Sequence, residues 1–235
     1  ISNDNYELVT TEFTVPGEIT KVKLTATPKA LKVTYGNTTV PAYAVTYSGF
    51  VNNEGTSVIS GTISYDCEYD VTVPSKRNVN KYTITSVVDG LSAENYYFEA
   101  AENILTVEPA KITIKPVPSE SAVTYGKNQI PSFTYTYSAL AYGENFADVI
   151  TENSTLTYRH SLTETSVGGS MVVSSIPGDY KVRPNLTVGG ANVFTAANGN
   201  YTFVEGENTV TVNKYALNIY GIKVLDKTYD GNNVV

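Results

Sequence analysis

The sequence predicts an all-β protein, and three observations carry that prediction. Val, Ile, Thr and Tyr, residue types that suit a pleated, half-buried surface, fill the chain, with Tyr alone present 19 times. No long stretch places apolar residues at helical spacing. The third observation is a near-copy: "VTYGNTTVPAYAVTYS" at 33–48 returns as "VTYGKNQIPSFTYTYS" at 123–138. Half of the aligned positions are identical, where random pairing would give about one.

Within each copy the elements follow in order. Val22 and Leu24 lead the first copy and match Ile112 and Ile114 at the ninety-residue offset, so a short strand opens each. Gly36 and Gly126 then sit where that strand must turn, a position that calls for positive φ. Pro41 and Pro131 start the next strand, where a missing N–H is tolerated. Along it Tyr43, Val45 and Tyr47 share one face, as do Phe133, Tyr135 and Tyr137 in the second copy, opposite small and polar residues. "SYDCEYDV" alternates Tyr65, Cys67, Tyr69 and Val71 with Asp66, Glu68 and Asp70, the pattern of a half-buried strand. A single helical turn is expected in "ENFADVIT", where Phe146, Val149 and Ile150 have the spacing. Each copy closes on a Tyr (Tyr82, Tyr180), an Asn-Tyr pair (Asn95-Tyr96, Asn200-Tyr201), and an alternating strand, "ILTV" or "TVTV".

The flanks read as further copies, since "NDNYELVTTEFTV" mimics a closing segment and "YALNIYGIKVLDKTYDG" an opening one. The expected organisation is the tail of one repeat at 1–21, complete repeats at 22–110 and 111–215, and the start of another at 216–235. Units of this length can own a core, which implies elongated beads on a string rather than a solenoid. An immunoglobulin-like sandwich is the default for repeated β units of this size. A β-grasp-like sheet around one short helix is the alternative. "VEPAK" and "VNKYA" lack flexible Gly/Ser composition, so the connections are expected to be semi-rigid.

Charge and composition narrow the function. A net charge of −7 without a basic patch argues against nucleic-acid binding. No apolar run approaches the roughly 18 residues of a membrane span. The first residues have neither an initiator Met nor the regions of a signal peptide, so the expectation is a piece of a longer chain, with any signal or anchor outside it. Cys67 stands alone, which rules out an intrachain disulfide and makes it a small buried hydrophobe.

Catalytic parts are few. His160 is the only histidine, which excludes paired-His chemistry and His-rich metal sites, and the run "YRHSLTETSVGGS" makes it a solvent-exposed loop residue. No G-x-S-x-G, G-x-x-x-x-G-K-[ST] or G-x-G-x-x-G pattern occurs. The expectation is therefore no enzyme and no cofactor. Asp66, Glu68 and Asp70 are a weak calcium set, because i, i+2, i+4 spacing on a flat strand spreads carboxylates; blunting of an exposed edge explains them better. Most tyrosines alternate as core residues do, with Tyr97 and Tyr142 the exceptions. The second copy carries surplus residues around 159–175 and 186–199. Insertions that leave a scaffold intact fall in loops, and loops bind, so Tyr142, His160, Asn192 and Phe194 are the candidate ligand-binding residues.

"TYG" followed by a Pro-led strand, then "GLSAENYYFEAAENILTVEPAKITI", resembles the MBG-type repeats of bacterial surface proteins; "GIKVLDKTYDG" resembles the opening of the related YDG repeats. The resemblance covers essentially the whole chain. It implies an extracellular, adhesin-like setting at a bacterial surface, no catalytic residues, and adjacent repeats of the same chain as neighbours. Two roles are compatible with it: a stalk or spacer module, or a binding module for host glycans or surface glycoproteins through the longer loops of the second repeat.

Overall fold

A computed structural model describes residues 4–6, 12, 14–127, 131–161, 176–223, 228 and 231. The chain splits into two compact units, Ile1–Pro109 and Ala110–Val235. Twenty strands and one short helix make up the regular structure of the described residues, apart from single 3₁₀ turns.

The first unit holds nine strands: β1 Val22–Pro28, β2 Leu31–Thr34, β3 Val45–Ser48, β4 Ser60–Gly61, β5 Ser64–Cys67, β6 Lys81–Val87, β7 Leu91–Ser92, β8 Tyr96–Ala100 and β9 Glu102–Glu108. They form a sheet in the order β3-β1-β8, a second in the order β2-β9-β6-β5, and the small pair β4-β7. Alternation fixes what each strand buries. Leu24, Ala26 and Pro28 point inward from β1, meeting Tyr82, Ile84 and Ser86 from β6 and Leu105 and Val107 from β9. Ser86 donates its hydroxyl to the carbonyl of Ala26 at 2.7 Å, a direct tie between the two sheets. The unit is a β-sandwich, and no central helix of a β-grasp is present among its described residues.

The second unit repeats the plan. Its strands are β10 Ala110–Pro118, β11 Ala122–Thr124, β12 Phe133–Tyr137, β13 Ile150–Glu152, β14 Thr157–Ser161, β15 Gly178–Asn185, β16 Thr187–Val188, β17 Ala191–Asn192, β18 Phe194–Ala196, β19 Tyr201–Glu205 and β20 Asn208–Asn213, with helix α1 at Phe146–Val149. The sheets β12-β10-β19 and β11-β20-β15-β14 correspond to those of the first unit, and β13-β18 corresponds to β4-β7. Val123, Tyr180, Val182, Val210 and Val212 make its core, with Phe133 and Tyr158 packed against them. The hairpin β16-β17 is the surplus of the second copy in folded form, set between β15 and β18.

Several expectations hold in detail. Gly36 and Gly126 adopt φ of 96° and 75°. The face of 43–47 alternates half-buried and exposed as its spacing predicts, and α1 is the single turn expected. In the second copy Phe133 and Tyr135 follow the alternation, but Tyr137 is 46% exposed, with its ring stacked on Phe146. Asp66 lies on β5, which is an edge strand of its sheet.

Other details differ. The leading strands do not align at an offset of ninety. Val22 and Ala110 both donate their backbone N–H to the Asn of the Asn-Tyr pair, and the buried residues are Leu24 and Ala26 against Ile112 and Ile114. The true offset is therefore two less, and the second copy carries two more residues between β10 and β11, where the chain crosses from one sheet to the other. The strands after Pro41 and Pro131 begin only at Val45 and Phe133, four and two residues beyond the prolines. Cys67 is half-buried rather than enclosed.

Candidate functional site

The repeated Asn-Tyr pair builds the same polar latch in both units. Tyr96 donates its hydroxyl to Glu54 at 2.5 Å and accepts the backbone N–H of Val51 at 3.2 Å. Tyr201 does the same with Glu144 at 2.5 Å and Ala141 at 2.9 Å. The carboxylate at the hydroxyl, together with burial, holds the Tyr96 phenol above its ordinary value. Each latch ties a late strand to a loop 42 or 57 residues earlier in the chain. Two more contacts recur. Asn103 and Asn208 donate to the carbonyls of Pro28 and Pro116, both at 2.9 Å, where the first strand turns its corner. Tyr82 and Tyr180 donate to carbonyls four residues upstream, at Asn78 and Ile176. Sequence reasoning found the tyrosines but missed Glu54 and Glu144. Their signal was present, since the two glutamates are ninety positions apart, the offset of the motif itself.

Beside each latch lies a concavity. In the first unit it measures about 340 Å³ and is lined by Val88, Leu91, Ser92, Tyr96 and Phe98 among others. In the second unit the matching hollow reaches about 490 Å³, because the β16-β17 hairpin adds Thr187 and Asn192 to its wall. The rim there offers hydroxyls and amides from Thr187, Asn192, Thr195 and Thr202, over a floor formed by Phe194 and Tyr201.

The four candidate ligand residues fare differently. Asn192 is exposed on β17 at this hollow. Phe194 is no loop residue: it lies in β18, is 2% exposed, and has ring neighbours Tyr135 at 5.6 Å, Phe146 at 5.8 Å and Phe203 at 5.3 Å. Pairing of β18 with β13 turns it into the sandwich. His160 is not a solvent-exposed loop residue either. It lies in β14, 8% exposed, opposite Val182, with its ring 5.2 Å from Phe133. In the first unit Cys67 holds that place opposite Ile84, so the position faces inward in both copies. Burial lowers the His160 pKa, favouring the neutral ring. Most of the surplus at 159–175 lies outside the described residues.

Tyr142 is half-buried beside the second latch and takes φ of 53°, a region where the first unit has Asn52 at 54°. Asn tolerates this left-handed backbone; a bulky side chain is strained in it. Tyr97 is exposed, facing away from Tyr96 as its adjacency requires. Tyr135 is raised to about 12, chiefly by burial and then by its hydrogen bond to Glu152 at 3.0 Å.

The calcium set does not converge. β5 ends at Cys67, and Asp70 turns back to accept the N–H and hydroxyl of Thr72 at 2.8 and 2.7 Å, which lowers its pKa. Among the described residues no three His, Cys, Asp or Glu side chains are grouped to hold a metal ion. No helix of the described residues is long and apolar enough to cross a membrane.

No curated protein matches the chain. Among solved structures, the N-terminal four Ig domains of Dscam1 isoform 6.9 align over 81% of this chain at 10% identity, with a TM-score of 0.26. The chain spans 46% of that structure's length. The family comparison is more specific: residues 24–106, from within β1 to within β9 and including the Tyr35-Gly36 turn, match the MBG domain (YGX type).

Proposed function

We propose that this chain is a non-catalytic structural module of a large bacterial surface or secreted protein, working outside the cell as a stalk or spacer in an adhesion system. The observation that carries this reading is what the two copies share. Their recurring polar side chains (Glu54 and Glu144, Tyr96 and Tyr201, Asn103 and Asn208, Tyr82 and Tyr180) are all spent on internal ties. What is repeated serves the scaffold, as a spacer requires. Small-angle scattering of the whole chain tests it: a spacer gives an extended particle, and a compact globule overturns it.

A second reading, binding of host glycans or surface glycoproteins by the second unit, is favoured by the enlarged hollow behind the β16-β17 hairpin. A glycan array or mucin pull-down with 187–192 replaced by the short connection of the first unit tests it. Loss of binding supports the reading; no binding, or binding indifferent to the change, removes it.

A further inference from the structure

We infer that each unit is built to resist tension along the chain, as a shear clamp between its first and last strands, and that the second unit yields before the first. The inference rests on the spacer reading for its purpose and on strand pairing for its content. In the first unit β1 runs parallel to β8, from Val22 opposite Tyr96 to Ala26 opposite Ala100. After the corner the same two stretches of chain pair again, β2 with β9, from Leu31 opposite Leu105 to Thr34 opposite Glu108. The separation between partners is 74 residues in both ladders, so the two form one continuous register.

Tension entering at Val22 and leaving at Glu108 acts on opposite ends of this ladder, because parallel strands put one strand's start and its partner's finish at opposite ends. The strands can separate only by sliding past each other, which strains many hydrogen bonds together. A hairpin pulled at its open end breaks them singly. Side chains reinforce the clamp: Lys23 pairs with Glu99 and Lys32 with Glu108, both at 2.8 Å across the ladder, while Asn103 and Ser86 hold the corner carbonyls of Pro28 and Ala26.

The second unit has the same clamp in a weaker form. β10 pairs with β19 at a separation of 91 residues and β11 with β20 at 89, so the register breaks at the corner that carries two extra residues. The second ladder is three pairs long instead of four. Pro184 replaces Ser86 opposite the corner and has no hydroxyl to donate, and Val204 replaces Glu99.

Force spectroscopy on the whole chain held by its two ends tests this, because forced unfolding reads the barrier directly. The clamped segments are 22–108 and 110–213, so the second unit releases 17 residues more than the first, or roughly 60 Å of extra contour. The expected trace shows the longer step first, at lower force, and the shorter step second. The first unit attached instead through Ser64 and Val87, at the open end of the β5-β6 hairpin, is expected to open at a force lower by roughly twofold or more. A shorter step that comes first overturns the ranking. Equal forces in the two geometries overturn the clamp, and they do so even if scattering shows an extended spacer.

Discussion

Replacement of Phe194 by Ala separates a core residue from a ligand-binding one. The ring is 2% exposed and touches three other aromatic rings, within a cluster that Tyr137 extends by stacking on Phe146 at 4.4 Å. A buried Phe removes about 150–250 Å² from water, worth about 4–6 kcal/mol at 25 cal/mol per Å². Truncation to Ala keeps the Cβ and leaves a cavity, and comparable changes cost about 3–5 kcal/mol. With a urea slope of about 2 kcal/mol/M for a unit of this size, the midpoint falls by roughly 1.5–2.5 M. The chain has no Trp, so tyrosine fluorescence and circular dichroism follow the transition, and proteolysis of partly unfolded samples assigns it to the second unit. Phe194→Leu, which refills most of the volume, is expected to recover more than half of the loss. A midpoint within about 0.3 M of the parent, with glycan or glycoprotein binding lost, would refute the packing argument and return Phe194 to a recognition surface.

Tyr201→Phe removes the donor to Glu144 and the acceptor for the Ala141 N–H, with an expected cost of about 1–3 kcal/mol by urea unfolding; Glu144→Gln in the same background adds little if the latch is real. Tyr142→Asn places in the second unit the residue the first unit uses at the same φ, and relief of strain is expected to stabilise by about 1 kcal/mol, read as a melting temperature higher by about 4–8 °C. His160 has a folded pKa below its unfolded value of about 6.5, so the unfolded chain binds the extra proton as pH falls through that window. The stability it leaves intact at pH 8 is therefore lost progressively below about pH 6.5, and the second unit's urea midpoint drops between pH 8 and 5 more in the parent than in His160→Cys. An equal drop in both proteins refutes the buried-imidazole account.

Much of the architecture was legible because strand alternation and repetition are both written locally. Tyr43, Val45 and Tyr47 declare a face without knowing what covers it, and the doubled "TYG" turn declares positive φ through its glycine. The errors have a common cause in contacts distant along the chain. The two-residue shift of the leading strand is set by which carbonyl Val22 and Ala110 reach, and a ninety-residue alignment of apolar pairs looks equally good in the wrong register. His160 sits in a polar run, yet its direction is decided by β14 pairing with β15, where it takes the place of Cys67. Aligning Tyr158 with Tyr65 would have exposed that equivalence. Phe194 was misplaced for the same reason, since nothing local to "ANVFTAAN" reveals β13 as its partner.

The β16-β17 hairpin also has a practical meaning. Seven additional residues stand between Leu186 and Tyr201, counted against Val88 and Tyr96, while the latch at Glu144 and the corner tie at Asn208 stay in place. The tip at Gly189 and Gly190 has open space around both α-carbons. At the matching turn of the first unit, a side chain added to Gly90 would meet the Thr62 carbonyl at 2.4 Å. An epitope or affinity tag is therefore best inserted between Gly189 and Gly190 of the second unit, keeping both glycines for their left-handed φ of 59° and 83°, and kept out of the first. A chain assembled from such units then carries one peptide for each unit so modified.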